Sequence, residues 1–199
     1  MAPLILHNVD IDNTTHQVGI FGCTRTTSLL PRKVNTITQQ VIGDQKITLV
    51  LADADFIAGA EHLLFATIHA LTAFSRKTNR AATKQLEILR FAAAQRQISQ
   101  ALKLLGVSKS TRRFAGVFVT STAAPLKTAY QKLLEIAQAT DDVQVLDLKT
   151  SKKAQAIQNL FQISNAELAA ICPISKPAER RQALQKLVFD RCALQAISR

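Results

Sequence analysis

Three consecutive pieces, AGVFVTS (115–121), PLKTAYQKLLEIAQ (125–138) and VQVLDL (143–148), decide the fold class. The first reads as a buried strand, with Val117 and Val119 facing one way and Phe118 the other. The second is an amphipathic helix whose apolar stripe runs through Leu126, Tyr130, Leu133 and Leu134. VQVLDL reads as a further strand. Strand, helix and strand in succession point to a sheet covered by helices.

Toward the N-terminus the sheet continues. PLILHNV (3–9) and HQVGIFG (16–22) read as paired strands on either side of a polar turn, DIDNTT (10–15). TSLLPRKVNTITQQVI (27–42) is helical if Pro31 sits near its first turn. KITLVLAD (46–53) is a strand following the Gly43-Asp44 turn. From about Ala58 the pattern becomes helical. Leu64, Ile68 and Leu71 form a stripe in GAEHLLFATIHALTAFSRK, and SRKTNR then interrupts it. ATKQLEILRFAAA and QRQISQALKLLGV are two further helices, the second carrying Ile98, Ala101, Leu102 and Leu105 on one face and stopping at Gly106.

The C-terminal fifty residues read as helices. KKAQAIQNLFQI is one. Ser164-Asn165-Ala166-Glu167 has capping-box spacing and opens a short second one, which Cys172-Pro173 ends. Pro177 starts the last. There Leu184, Leu187, Val188 and Leu194 share one face, while Phe189, Ala193 and Ile197 lie on another. A helix apolar on so much of its circumference packs on its own core and on a second protein, or is buried outright. The expectation is an α+β (mixed α/β) fold, a small central sheet flanked by helices with a helical C-terminal layer, as a single domain over 1–199.

Composition narrows the function. The chain has 199 residues and a hydrophobic share of 47%, enough to bury a full core. No apolar run is long enough to span a bilayer, and the start turns acidic within ten residues, unlike a secretory signal. Three cysteines without CxxC spacing fit a reducing compartment, cytosolic or nuclear. The net charge of +11 is uneven: residues 1–60 carry four Lys/Arg against five Asp/Glu. Between Arg76 and Arg113 lie ten basic residues and one acid, Glu87. A cluster of that kind binds polyanions by counterion release, so nucleic acid is the expected partner, against a merely solvated basic face.

Catalytic constellations are thin. His62 and His69 share a helix but are seven apart, outside the i, i+4 spacing of helical metal ligands. GVSKST lacks the spacing of a phosphate loop and follows a helix instead of leading into one. Asp53 and Asp55 follow a strand, where α/β enzymes place carboxylates, yet a turn or cap explains them more simply. No metal and no cofactor are expected. A small enzyme using the carboxylates near Asp53 stays open as an alternative, to be distinguished by a pocket they line.

The stretch NRAATKQLEILRFAAAQRQISQALKLLGV (79–107) resembles the signature of the kinase-binding (TPRKB-like) subunit of the KEOPS complex. The matching residues are Asn79, Glu87-Ile88-Leu89, Arg96-Gln97-Ile98 and Gly106. The helix around His62 to Leu71, the strand AGVFVTS and the C-terminal helices extend the likeness over about residues 45–199. Two features depart from the family. Ala94 stands where it often has Gly, which predicts a straighter junction, and SKPAERRQ looks like a longer connector. The resemblance implies a non-catalytic subunit that binds the small atypical protein kinase of KEOPS and, through it, meets the threonylcarbamoyl transferase. It also implies capture of tRNA by its 3′ CCA end, for modification of the adenosine beside the anticodon, in the cytoplasm and, in a eukaryote, the nucleus. The alternative is a pure kinase-binding scaffold without tRNA contact. On this reading Arg76, Lys77, Arg80, Lys84, Arg96 and Ile98 meet RNA, while Leu184, Leu187, Val188, Arg191 and Leu194 meet the kinase.

Overall fold

The computed structural model describes residues 4–122, 125–172 and 176–197, with side chains to Ala196. Pro3, Pro173, Ser175 and the side chain of Ile197, which carried expectations above, lie outside the described residues. Strands β1 (Ile5–Ile11) and β2 (Thr14–Thr24) form a hairpin. Its turn is only Asp12-Asn13, both at positive φ (42° and 67°), a geometry these two residue types tolerate and the hairpin twist favours. The six-residue turn expected over 10–15 is thus corrected: Asp10, Ile11, Thr14 and Thr15 belong to the ladder.

Helix α1 (Pro31–Ile42) begins at its proline, and β3 (Thr48–Asp53) follows. Next come α2 (Ala60–Ser75), α3 (Lys84–Ala92), α4 (Ile98–Leu105), β4 (Arg113–Thr120) and α5 (Leu126–Ala137). The strand order is β1-β2-β4-β3, antiparallel throughout, and a two-residue β5 (Thr140–Asp141) pairs with Cys23 and Thr24 of β2. β3 is therefore an edge.

The alternation read in β4 fixes the layers. Val117 and Val119 join Val18, Ile20 and Val50 against α2, α3 and α4. Phe118 joins Phe21, Leu49 and Leu51 against α1 and α5. Gly116 lets the layers close: a Cβ there would stand 2.4 Å from both the Phe21 ring and the Val50 carbonyl oxygen.

VQVLDL is not a strand. Val143–Leu146 forms a 3-10 turn that buries Val145 and Leu146. It sits directly over Gly22, where a Cβ would meet Val145 at 2.6 Å. The carbonyls a neighbouring strand would have bonded accept instead from the buried Lys153 ammonium, at 2.6 and 3.2 Å. A four-residue apolar run fits either geometry, and here the tertiary partners decide.

Helices α6 (Ser151–Leu160), α7 (Asn165–Ile171) and α8 (Pro177–Ile197) make the C-terminal layer. The expected capping box is present: Glu167 N–H donates to the Ser164 hydroxyl, and Ser164 N–H donates to the Glu167 carboxylate. PAERRQ is not a connector, because α8 already begins at Pro177. Among the described residues no helix is long and apolar enough to cross a membrane.

Candidate functional site

The signature segment is organised around a buried ion pair. The Glu87 carboxylate accepts from Arg90 Nε (3.1 Å) and Nη2 (2.7 Å), a two-pronged fork with both side chains out of water. It also accepts from the backbone N–H groups of Arg80 (3.3 Å) and Ala81 (2.8 Å). Glu87 thereby holds the basic loop 76–83 onto α3. Arg90 reaches the other way, donating to the Gln95 carbonyl (3.4 Å) and lying 4.3 Å over the Phe91 ring. Of the ten cations in the segment, Arg90 is therefore structural and cancels the single acid.

The α3–α4 junction is bent, not straighter as Ala94 suggested. Ala94 adopts φ 50°, and Gln95 N–H closes on the Arg90 carbonyl at 3.1 Å. Alanine takes the left-handed position that usually goes to glycine, held by the hydrogen bonds around it.

The six residues expected to meet RNA fall into two groups, one at each end of α3. Arg76, Lys77 and Arg80 are exposed on the loop before α3, Arg76 lying 3.8 Å from Asp12 in a solvated pair. Lys84 opens α3 and is half-buried. Arg96 (exposed) and Ile98 (half-buried) stand at the junction beyond its far end. Helix α3, nine residues and about 13 Å long with Lys84 at its start, runs between the two groups.

Between α1 on one side and α3 and α4 on the other, a groove of about 470 Å³ runs along the open edge of β3. Leu49 and Leu51 of the strand, Leu86 and Leu89 of α3, and Leu102 of α4 give it an apolar lining. Leu102 was read on one face with Ala101 and Leu105, yet those two are buried and it is 47% exposed at this groove. Sequence reasoning missed the groove because it exists only where β3 is an edge, and strand order is not written locally.

The C-terminal helix overturns part of the partner expectation. Leu184, Leu187 and Val188 are buried in the chain's own third core, with Ile157, Phe161 and Leu168. A stripe that faces α6 and α7 cannot also face a partner. Arg191 is part-buried and paired with Glu167 of α7, while Leu194 is 48% exposed. The backbone N–H and side chain of Ser164, together with Arg191, hold the Glu167 carboxyl at about 2.

On α2 the deepest face is Leu63, Ala66, Thr67 and Ala70, and the expected stripe residues Leu64 and Ile68 are only half-buried. That phase leaves a half-buried aromatic row, Phe65 and His69 of α2 with Phe189 of α8, which runs inward to the buried Phe91 of α3. Phe189 stacks on Phe65 (5.6 Å), His69 meets Phe65 edge-on (4.4 Å), and His69 stacks on Phe91 (5.5 Å). The i, i+4 pair Phe65–His69 was the available sequence signal.

The remaining titratable groups are tied into the framework. Asp53 accepts from Asp55 N–H (3.0 Å) and the Thr111 hydroxyl (2.5 Å), so both its oxygens serve the turn, and burial pushes its carboxyl up. His62 is fully buried: Nδ1 accepts from Ala58 N–H (3.1 Å) and Nε2–H donates to the Ala92 carbonyl (2.8 Å). Burial pushes its pKa down to about 4. Among the described residues no group of three or more His, Cys, Asp or Glu side chains could hold a metal ion.

Comparison with curated proteins gives no match. The family model described as kinase binding protein CGI-121 does match, over residues 32–196, which takes in β3, β4, the helices on both faces of the sheet, the basic segment and the C-terminal layer. This chain belongs to the CGI-121 family of kinase-binding proteins.

Proposed function

We propose that this chain is a non-catalytic accessory subunit of a KEOPS-type complex, binding the complex's atypical protein kinase on one surface and tRNA on another. What carries the tRNA half is the setting of the basic segment. Its cations are solvated at both ends of α3, beside an apolar groove open along a strand edge. Loop cations give a phosphate backbone its electrostatic attraction, and the leucine-lined groove offers unstacked bases of a single-stranded 3′ end a place to pack. The kinase half rests on family membership and on the aromatic row of α2 and α8. Phe65, His69 and Phe189, with Arg191 and Leu194 beyond them, are the partner-facing groups on this reading.

Charge reversal at Lys84 and Arg96 tests the tRNA half. The double variant folds normally, weakens tRNA binding at least tenfold and flattens its dependence on salt. Unchanged affinity and slope in a folded variant would leave a pure kinase-binding scaffold as the better reading. For the kinase half, Phe189→Asp is expected to abolish co-purification with the kinase while tRNA affinity is retained.

A further inference from the structure

A second cavity, of about 290 Å³, opens at the end of the sheet where β2, β3 and β4 meet the start of α3. His16, Lys46, Thr48, Lys84, Thr120 and Ser121 line it, and no carboxylate does. Neither lysine has an Asp or Glu oxygen within 4 Å among the described residues. Lys84 is the first residue of α3, where the helix dipole disfavours a cation, and the only acid of that first turn, Glu87, is committed to Arg90. His16 is 8% exposed, yet its Nδ1 has no hydrogen-bond partner. A buried polar atom left in that condition calls for an ion or water that completes it. Burial first, and the nearby Lys84 second, disfavour the protonated imidazole.

We propose that His16, Lys46 and Lys84 form a phosphate-binding pocket, with the hydroxyls of Thr48 and Ser121 as further donors. A phosphate group carries enough charge to offset two ammoniums, and its several acceptor oxygens suit donors converging from three strands and a helix. The cavity is of a size for a phosphate or diphosphate. Two sources supply that chemistry: the backbone of a bound RNA, since Lys84 also belongs to the proposed tRNA surface, or a free phosphate ester.

Titration of inorganic pyrophosphate into the full chain, by calorimetry and by NMR of the histidine rings, tests this without any RNA. Saturable binding is expected, with the His16 resonances moving far more than those of His7. Lys46→Ala and Lys84→Ala each weaken it at least tenfold, whereas Lys186→Ala, an equal loss of charge on the exposed face of α8, leaves it unchanged. Lys46 is exposed, so its variant keeps the fold. Absence of saturable binding, or an equal effect of the Lys46 and Lys186 substitutions, overturns the pocket. Displacement of pyrophosphate by tRNA would assign the phosphate to the RNA backbone, and retention at saturating tRNA would assign it to a free ester. A chain that binds pyrophosphate but no tRNA would refute the tRNA reading and leave the pocket standing.

Discussion

The α3–α4 segment and the C-terminal helix α8 are both rich in residues that could meet a partner, and the structure uses them in opposite ways. In the basic segment one cation, Arg90, turns inward and anchors the rest, while the others are exposed or, like Lys84, half-buried. In α8 the apolar residues that looked available for a partner turn inward, and the side facing α2 stays half-open. Long charged side chains go to solvent unless paired, so their placement is nearly set by type; apolar ones go to whichever core is nearest, so theirs is not. Charge therefore located a surface, whereas hydrophobicity located only a helix.

Breaking the anchor should have the largest effect. Glu87→Ala leaves the Arg90 guanidinium buried without its partner and frees the loop that carries Arg76, Lys77 and Arg80. A loss of about 3–5 kcal/mol is expected in urea unfolding. A loss under 1 kcal/mol would mean that the ion pair does not organise the segment.

The contrast within α8 can be sharpened by two truncations of the same chemistry. Leu184→Ala should cost about 2–5 kcal/mol because it empties the third core. Leu194→Ala should cost under about 0.5 kcal/mol. Similar values for the two would contradict the burial described for this helix.

Acid titration probes the point where both regions meet, since His62 bonds to the end of α3 and lies 3.6 Å from Cys192 of α8. Its pKa is depressed from 6.5 to about 4, so the unfolded chain takes up the proton first. The associated stability is complete above pH 6.5 and is lost as pH falls toward 4, by about 3 kcal/mol. Urea midpoints that do not fall across this window would argue against a neutral, buried imidazole. The smallest effect is expected at the junction. Ala94→Gly relieves a left-handed alanine and should stabilise the chain by about 1 kcal/mol.

Where a feature depends on neighbours in sequence, it was legible. Pro31 starts α1, Gly106 follows α4, and Ser164 with Glu167 forms the capping box, because caps and breakers act within one helical turn. The alternation of Val117, Phe118 and Val119 correctly set the two faces of the sheet. Illegible features depend on residues far apart. VQVL became a turn because Gly22 and Lys153 receive it. The groove opens because β4, not β3, lies beside β2. For the candidate site, sequence located the basic segment but spread its contacts over both ends of α3, and it took three α8 leucine and valine positions for an exterior that is core. The pocket at His16 and Lys46 joins residues thirty or more positions apart to Lys84, beyond any local pattern.

On the proposed function, the groove beside α3 and α4 holds a single-stranded RNA end supplied with charge by the basic segment. The most direct measurement compares binding of the purified chain to intact tRNA and to the same tRNA trimmed of its 3′ CCA. Clear binding to the intact molecule and at least a tenfold loss on trimming are expected. Equal affinity for the two, or none for either at near-physiological salt, would contradict it.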